Sequence, residues 1–166
     1  MNGIEIGQPS TVFGIDPGAS GGIACWRRDE PILALPMAET EGDQIELIRE
    51  LIAGDESVAF VELVGGYTGK PQPGGAMFKF GRGFGFTLGV LQTLGVRVEL
   101  VPPQKWQKPL GLGTRSSCAT SSEWKAKLRA CAQRLYPKLK PTLATADAIL
   151  ILEFGLKSLR VGAAKQ

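Results

Sequence analysis

The chain has 166 residues, 43% of them hydrophobic and 21% charged. That is enough to bury one core without metal or disulfide staples, and too apolar for a disordered polymer. It contains no histidine, which removes Ser-His-Asp and Cys-His catalysis, histidine metal sites and histidine pH switches. The formal net charge of +3 hides an asymmetry: residues 1–77 hold four Lys/Arg against twelve Asp/Glu, and residues 78–166 fifteen against four. Either the basic half meets a polyanion, or the two halves neutralise each other across the fold. Cys25, Cys118 and Cys131 lack Cys-x-x-Cys spacing, which argues against a zinc cluster and a disulfide framework and for a reducing compartment. No apolar run approaches a membrane span, and Met1 to Ser10 lacks the charged and apolar regions of a signal peptide.

In chain order, Thr11–Ile15 is a short apolar run that ends at Asp16. The stretch Asp16-Pro17-Gly18-Ala19-Ser20-Gly21-Gly22 reads as a turn. Apolar runs at Ile23–Trp26 and Ile32–Leu35 complete an expected three-stranded antiparallel meander. Asp43–Ala53 has helical spacing of Ile45, Leu47, Ile48, Leu51 and Ile52 behind an acidic first turn, and Gly54 ends it. Ser57–Val64 reads as a strand interrupted by Glu62, and Gly65–Gly75 as a loop. Much of Met77–Leu94 is expected to be helix despite Gly81, Gly83, Gly85 and Gly89, with Gly85 and Gly89 forming a strip for close packing. Val96–Val101 alternates as a strand and Pro102-Pro103 stops it. Gln104–Ser122 reads as a long polar loop, and Ser121 or Ser122 as the cap of a helix over Glu123–Leu135. A last helix is expected over about Ala144–Leu156, ending near Gly155, with a frayed basic tail from Lys157. The order implies one α/β domain, with a mixed sheet that starts antiparallel and continues by crossover units. Its core spans about residues 11–157.

Three acids sit where acids are unexpected. Asp16 ends the first strand, Glu62 lies in an otherwise apolar strand, and Asp147 is surrounded by Ala146, Ala148, Ile149, Leu150, Ile151 and Leu152. Buried carboxylates must be paired or they become neutral. Either each acid pairs separately with Arg or Lys, or the three share a cation. Oxygen donors alone favour Mg²⁺ or Mn²⁺.

Phe13-Gly14-Ile15-Asp16-Pro17-Gly18 followed by Gly21-Gly22-Ile23-Ala24 resembles the opening of RuvC-type Holliday-junction resolvases, members of the RNase H-like superfamily. Val61-Glu62 is similar to the family's second acid on a core strand, and Ala146-Asp147-Ala148-Ile149-Leu150 to its C-terminal helix motif. Met77, Phe84-Gly85, Gly89, Leu91, Val101-Pro102, Trp106, Lys108 and Leu135-Tyr136-Pro137 resemble the phage, bacterial and chloroplast branch. The likeness spans about residues 14–155. It implies an RNase H-like mixed five-stranded sheet, antiparallel over its first three strands, with helices on both faces. It implies a homodimeric endonuclease that nicks four-way DNA junctions symmetrically and leaves 5′-phosphates. It implies Asp16, Glu62 and Asp147 as catalytic metal ligands for two Mg²⁺ ions, with Mn²⁺ able to substitute. Such ions sit roughly 3.5–4 Å apart, hold the scissile phosphate and activate water. It also implies the cytoplasm of a bacterium or phage-infected cell, or an organelle after loss of a transit peptide, and no membrane partner.

One position departs from the family pattern. RuvC-type enzymes carry another acid or histidine about one helical turn before the last Asp, on the same helix face. Here that place is taken by Ala144. Either a ligand comes from elsewhere, or a second metal binds poorly, or Ala144 is an inactivating substitution. Lys79, Arg82, Lys105, Lys108, Arg115, Lys125, Lys127 and Arg129 are candidates for phosphate contacts, or else solvated surface charges. Trp106 is either a platform for a base or part of the core. Phe78, Phe80 and Phe84 either wedge a junction or pack an interface, packing being the expected role. Two readings compete with a nuclease. One is an actin-like or sugar-kinase phosphate loop, which needs a second lobe that this chain is too short to supply. The other is a junction-binding protein that does not cleave.

Overall fold

The computed structural model describes residues 9–54, 56–63, 65 and 73–163. Five strands run β1 (Thr11–Asp16), β2 (Gly22–Arg27), β3 (Leu33–Pro36), β4 (Ser57–Glu62) and β5 (Arg97–Val101). They form one sheet in the order β3-β2-β1-β4-β5. β1–β2 and β2–β3 pair antiparallel, whereas β1–β4 and β4–β5 pair parallel. This is the mixed sheet, antiparallel over its first three strands, that the order of elements implies.

Alternation along the strands divides the core in two. Val12, Val58 and Phe60 face one cluster, together with α4 (Ser121–Leu135) and α5 (Ala146–Ala163). Phe13, Ile15, Ala59 and Val61 face the other, together with α1 (Glu41–Leu51) and α2 (Gly74–Thr93). Helices therefore cover both faces. The side-chain period of two places Asp16 and Glu62 on the α4/α5 face, since they continue the Val12–Gly14 and Val58–Phe60 series.

The close approach that fixes this layer occurs at Gly14. A β-carbon there would lie 2.2 Å from the Leu152 backbone nitrogen and 2.3 Å from the Ala148 carbonyl oxygen. Gly14 is the register partner of Phe60, whose ring lies against Gly155 of α5, 2.3 Å from where a β-carbon would stand. So Gly155 does not end the last helix. It is the site where α5 rests on an aromatic ring, and the helix continues through Lys157 to Ala163. The Gly85–Gly89 strip expected to pack closely has nothing within 4 Å of either β-carbon position. Gly89 instead borders a shallow apolar groove with Ile45, Phe86 and Leu94, between α1 and α2.

Three other expectations change. The segment Gln104–Ser122 is not one polar loop. It holds α3 (Pro103–Gln107) and two short 3-10 turns, Lys108–Leu110 and Arg115–Ser117, pinned from inside by buried Trp106 and Cys118. α4 is capped by Thr120 rather than by a serine, with Thr120 Oγ1 accepting from the Glu123 N–H at 3.1 Å. α2 begins at Gly74, inside the expected loop. Val64 and residues 66–72 of the expected strand and loop lie outside the described residues. All three cysteines are free and buried, and burial pushes the Cys25 thiol up to about 12.

We expect Gly14→Ala to destabilise the fold by about 3 kcal/mol or more, because two backbone atoms would have to move. Gly89→Ala should be neutral or stabilising by up to about 1 kcal/mol, from helix propensity at an open position. Urea unfolding of both variants checks the pair.

Candidate functional site

Asp16 and Glu62 end neighbouring parallel strands on the same face of the sheet, and Asp147 enters from the first turn of α5 above them. Each position has a local cause. After β1 the chain reverses through a turn closed by the Gly21 N–H on the Gly18 carbonyl at 2.8 Å. Asp16 Oδ1 accepts the Gly18 N–H at 3.1 Å. A β-carbon on Gly21 would stand 2.6 Å from Asp16 Cγ, so a side chain there would displace the carboxylate. A β-carbon on Gly22 would stand 2.8 Å from the Ala144 carbonyl oxygen, so this glycine lets the approach to α5 lie across the start of β2. Thr142 and Thr145 then cap each other: the Thr142 N–H donates to Thr145 Oγ1 at 3.0 Å and the Thr145 N–H to Thr142 Oγ1 at 3.2 Å. The Asp-Pro-Gly…Gly-Gly turn is thus built to hold one acid and to admit the helix that brings another.

Asp16, Glu62 and Asp147 are all half-buried. Burial, and then the charges of Asp16 and Asp147, push the Glu62 carboxyl up to about 7; the Trp106 N–H and the Lys125 ammonium pull the other way. Burial and the Asp16 charge push Asp147 up to about 6, again against Lys125. The three carboxylates therefore share one electrostatic environment. Among the described residues, the ion pairs join other groups: Arg27–Glu30, Arg49–Glu46, Arg82–Glu41, Arg97–Glu99, Lys127–Glu123 and Lys157–Glu153. Separate pairing of each acid with its own Arg or Lys is not the arrangement found. Nor, among the described residues, do three or more Asp, Glu or Cys side chains already close into a metal-ligating cluster. The donor set still suits a hard divalent cation: it is oxygen-only, anionic, mutually repelling and partly withdrawn from water.

The basic and aromatic candidates separate into different roles. Lys125 of α4 is the cation whose field reaches Glu62 and Asp147. Lys79, Lys105 and Lys108 are exposed. Lys79 precedes Phe80 on α2, and Phe80 comes within 3.8 Å of where a Gly18 β-carbon would stand, beside the Asp16 turn. Lys105 and Lys108 flank Trp106 on α3 and the turn after it. Arg82 is held by Glu41 at 2.7 Å, Arg115 bonds Ser121, and Lys127 pairs with Glu123 at 3.5 Å. Arg129 donates from Nε to the Pro141 carbonyl at 3.1 Å and so braces the segment before α5.

Trp106 is 1% exposed and has no free face on which a base could stack, so of its two readings the buried one holds. Its Nε1 donates to Glu62 Oε1 at 3.1 Å. That contact between indole and acid was not anticipated from the sequence. The signal available was a Trp three residues past the strand-ending Pro102-Pro103. Phe78 is 72% exposed on the same stretch of α2 as Lys79.

No protein-family model matches the chain, and no curated protein matches its sequence. Solved structures do. The structure of Thermus thermophilus RuvC superimposes with a TM-score of 0.54 at 16% identity, over 92% of this chain and 96% of that one. A second structure, T. thermophilus RuvC in complex with Holliday junction substrate, gives a TM-score of 0.57 at the same identity and coverage. The chain thus has the fold seen in the T. thermophilus RuvC structures, a mixed α/β sheet covered by helices on both faces.

The raised carboxyls carry a stability consequence for the metal-free protein. A folded-state value above the unfolded one contributes stability that is present at low pH and lost as pH rises through about 6–7. In chelator, the melting temperature should therefore fall between pH 5 and pH 8. Glu62→Gln should remove on the order of 2 kcal/mol of that slope. Differential scanning calorimetry at stepped pH measures it, and a variant with the parent's slope would contradict the burial of Glu62.

Proposed function

We propose that this protein is a metal-dependent endonuclease that resolves four-way DNA junctions by paired symmetric nicks. The observation behind the reading is that Asp16, Glu62 and Asp147, from three elements far apart in sequence, lie within reach of one another's charge at the ends of the interior strands β1 and β4. Mg²⁺, with Mn²⁺ as substitute, would be held by these three carboxylates. When bound, it supplies the positive charge that binds the scissile phosphate and makes water acidic enough to attack near neutral pH.

The chain's own residues do the rest. The Gly18 N–H fixes the Asp16 carboxylate, and the threonine cap fixes the first turn of α5 and with it Asp147. Lys125 lies close enough to Glu62 and Asp147 to offset part of their repulsion, and so can meet a phosphate that the acids alone would repel. Lys79, Lys105 and Lys108 would contact the flanking backbone, giving affinity with strong salt dependence. Two symmetric strands must be cut, so a two-fold homodimer suits the task. In-line attack expelling the 3′ oxygen leaves a 5′-phosphate.

A second reading, junction binding without cleavage, rests on Ala144. It stands three positions before Asp147, where the resemblance leads one to expect a further acid or histidine. A synthetic four-way junction with and without Mg²⁺ separates the two. We expect paired nicks that need the ion and that are abolished, with binding retained, in Asp16→Asn. Binding without nicks in the parent, with cleavage gained in Ala144→Asp, would identify a disabled nuclease instead. For the interface, Lys105→Ala combined with Lys108→Ala should weaken binding and shallow its log–log salt slope by about 2. Filter binding across a salt series reads this.

A further inference from the structure

We propose that Trp106 is a positioning residue: it holds one oxygen of Glu62, so that this acid meets a cation through the other and favours Mg²⁺ over Ca²⁺. The inference rests on the metal-dependent reading above and adds to it the origin of ion choice.

Three observations support it. Trp106 sits on α3, which follows directly from Val101, the register partner of Glu62. Pro102 and Pro103 stop β5 and set the helix start there, so the indole rides on a rigid element placed beside the end of β4. The ring body is packed into the core cluster with Trp124, Leu128, Ala146 and Ile149, which fixes its orientation. Its one polar atom is a donor that cannot accept, and it points at Glu62 Oε1 at 3.1 Å. A glutamate side chain has three rotatable bonds, and this bond ties it down at its far end.

Ion chemistry then gives the direction. Mg²⁺ demands near-octahedral geometry and takes few carboxylate oxygens, keeping several waters, whereas Ca²⁺ readily accepts both oxygens of one carboxylate. A carboxylate with one oxygen committed to an indole N–H is a better one-oxygen ligand and a poorer two-oxygen one. Donors behind a metal ligand typically matter by 10–100-fold in affinity.

The test uses the full chain with MgCl₂ or CaCl₂ as the probe and titration calorimetry as the readout. Trp106→Phe keeps the packed ring and removes the donor. We expect its Mg²⁺ affinity to fall roughly tenfold while Ca²⁺ affinity falls less or rises. Equal losses for both ions, as a merely structural role would give, overturn the proposal, and so does an unchanged ratio. A parent chain that binds neither ion saturably overturns the metal reading itself, and that outcome is visible before any variant is made.

A second measurement does not depend on the variant folding. In the unaltered protein, the Trp106 indole ¹⁵N–¹H resonance, assigned by triple-resonance spectra, should move on adding Mg²⁺. It should also be displaced in Glu62→Gln, with Trp26 and Trp124 as internal references. A Trp106 resonance that moves in neither case refutes the contact.

Discussion

Backbone contact between α5 and β1 at Gly14 is the constraint from which the site follows. With no side chain on that residue, the helix descends until Ala148 and Leu152 touch the strand. Phe60 on the neighbouring strand then fills the space beside Gly155. Fixing the helix at these two points fixes the height and rotation of its first turn, and therefore where Asp147 stands. The strand it rests on is the one that ends in Asp16, and the next strand ends in Glu62. Three acids distant in the chain become neighbours because one glycine allows two elements to meet without a layer of side chains between them.

That convergence runs against local stability. Burial and like charge both act against ionised Glu62 and Asp147. Among the described residues, no salt bridge reaches either of them. What opposes the repulsion is partial: one indole N–H, one backbone N–H and the field of Lys125. Natural sequences break their own packing rules mostly where function requires it. A cluster of half-paired carboxylates on an otherwise apolar layer is such a break. On the reading proposed above, a divalent cation would turn that repulsion into binding energy.

The parts legible in the sequence were those with a physical signature inside a short window. Asp16 was legible as an acid between an apolar run and a glycine turn, Glu62 as an acid in a strand, and Asp147 as an acid ringed by aliphatic residues. The mixed character of the sheet, antiparallel first and then by crossovers, followed from short runs and turns. What escaped depended on partners distant in the chain. Gly85 and Gly89 carry helical spacing that suggests close packing, yet the close contacts fall at Gly14 and Gly155, because only the folded layer decides which glycine has a neighbour. Gly155 looked like a helix end and is a packing site. α3 was hidden between Pro103 and a polar stretch, with helical order imposed by burial of Trp106 rather than by propensity. The Trp106–Glu62 bond spans two elements with no shared pattern, so no window of sequence contains it.

Gathered carboxylates would pose a problem for a polyanionic substrate of the kind proposed above. At short range the carboxylates repel a phosphate, so attraction has to come from charges that reach the substrate before the acids do. Arg82, Arg115, Lys127 and Arg129 each also bond a protein group, and the surface ion pairs among these are weak enough to open. Lys79, Lys105 and Lys108 are exposed on α2, on α3 and on the turn that follows it. Lys105 and Lys108 flank Trp106, which bonds Glu62, and Lys79 precedes Phe80, whose ring lies near the Gly18 turn. α3, which bonds Glu62 through Trp106, thus also carries the exposed Lys105. A change that tilts α3 would therefore disturb the Glu62 carboxylate and shift Lys105 together.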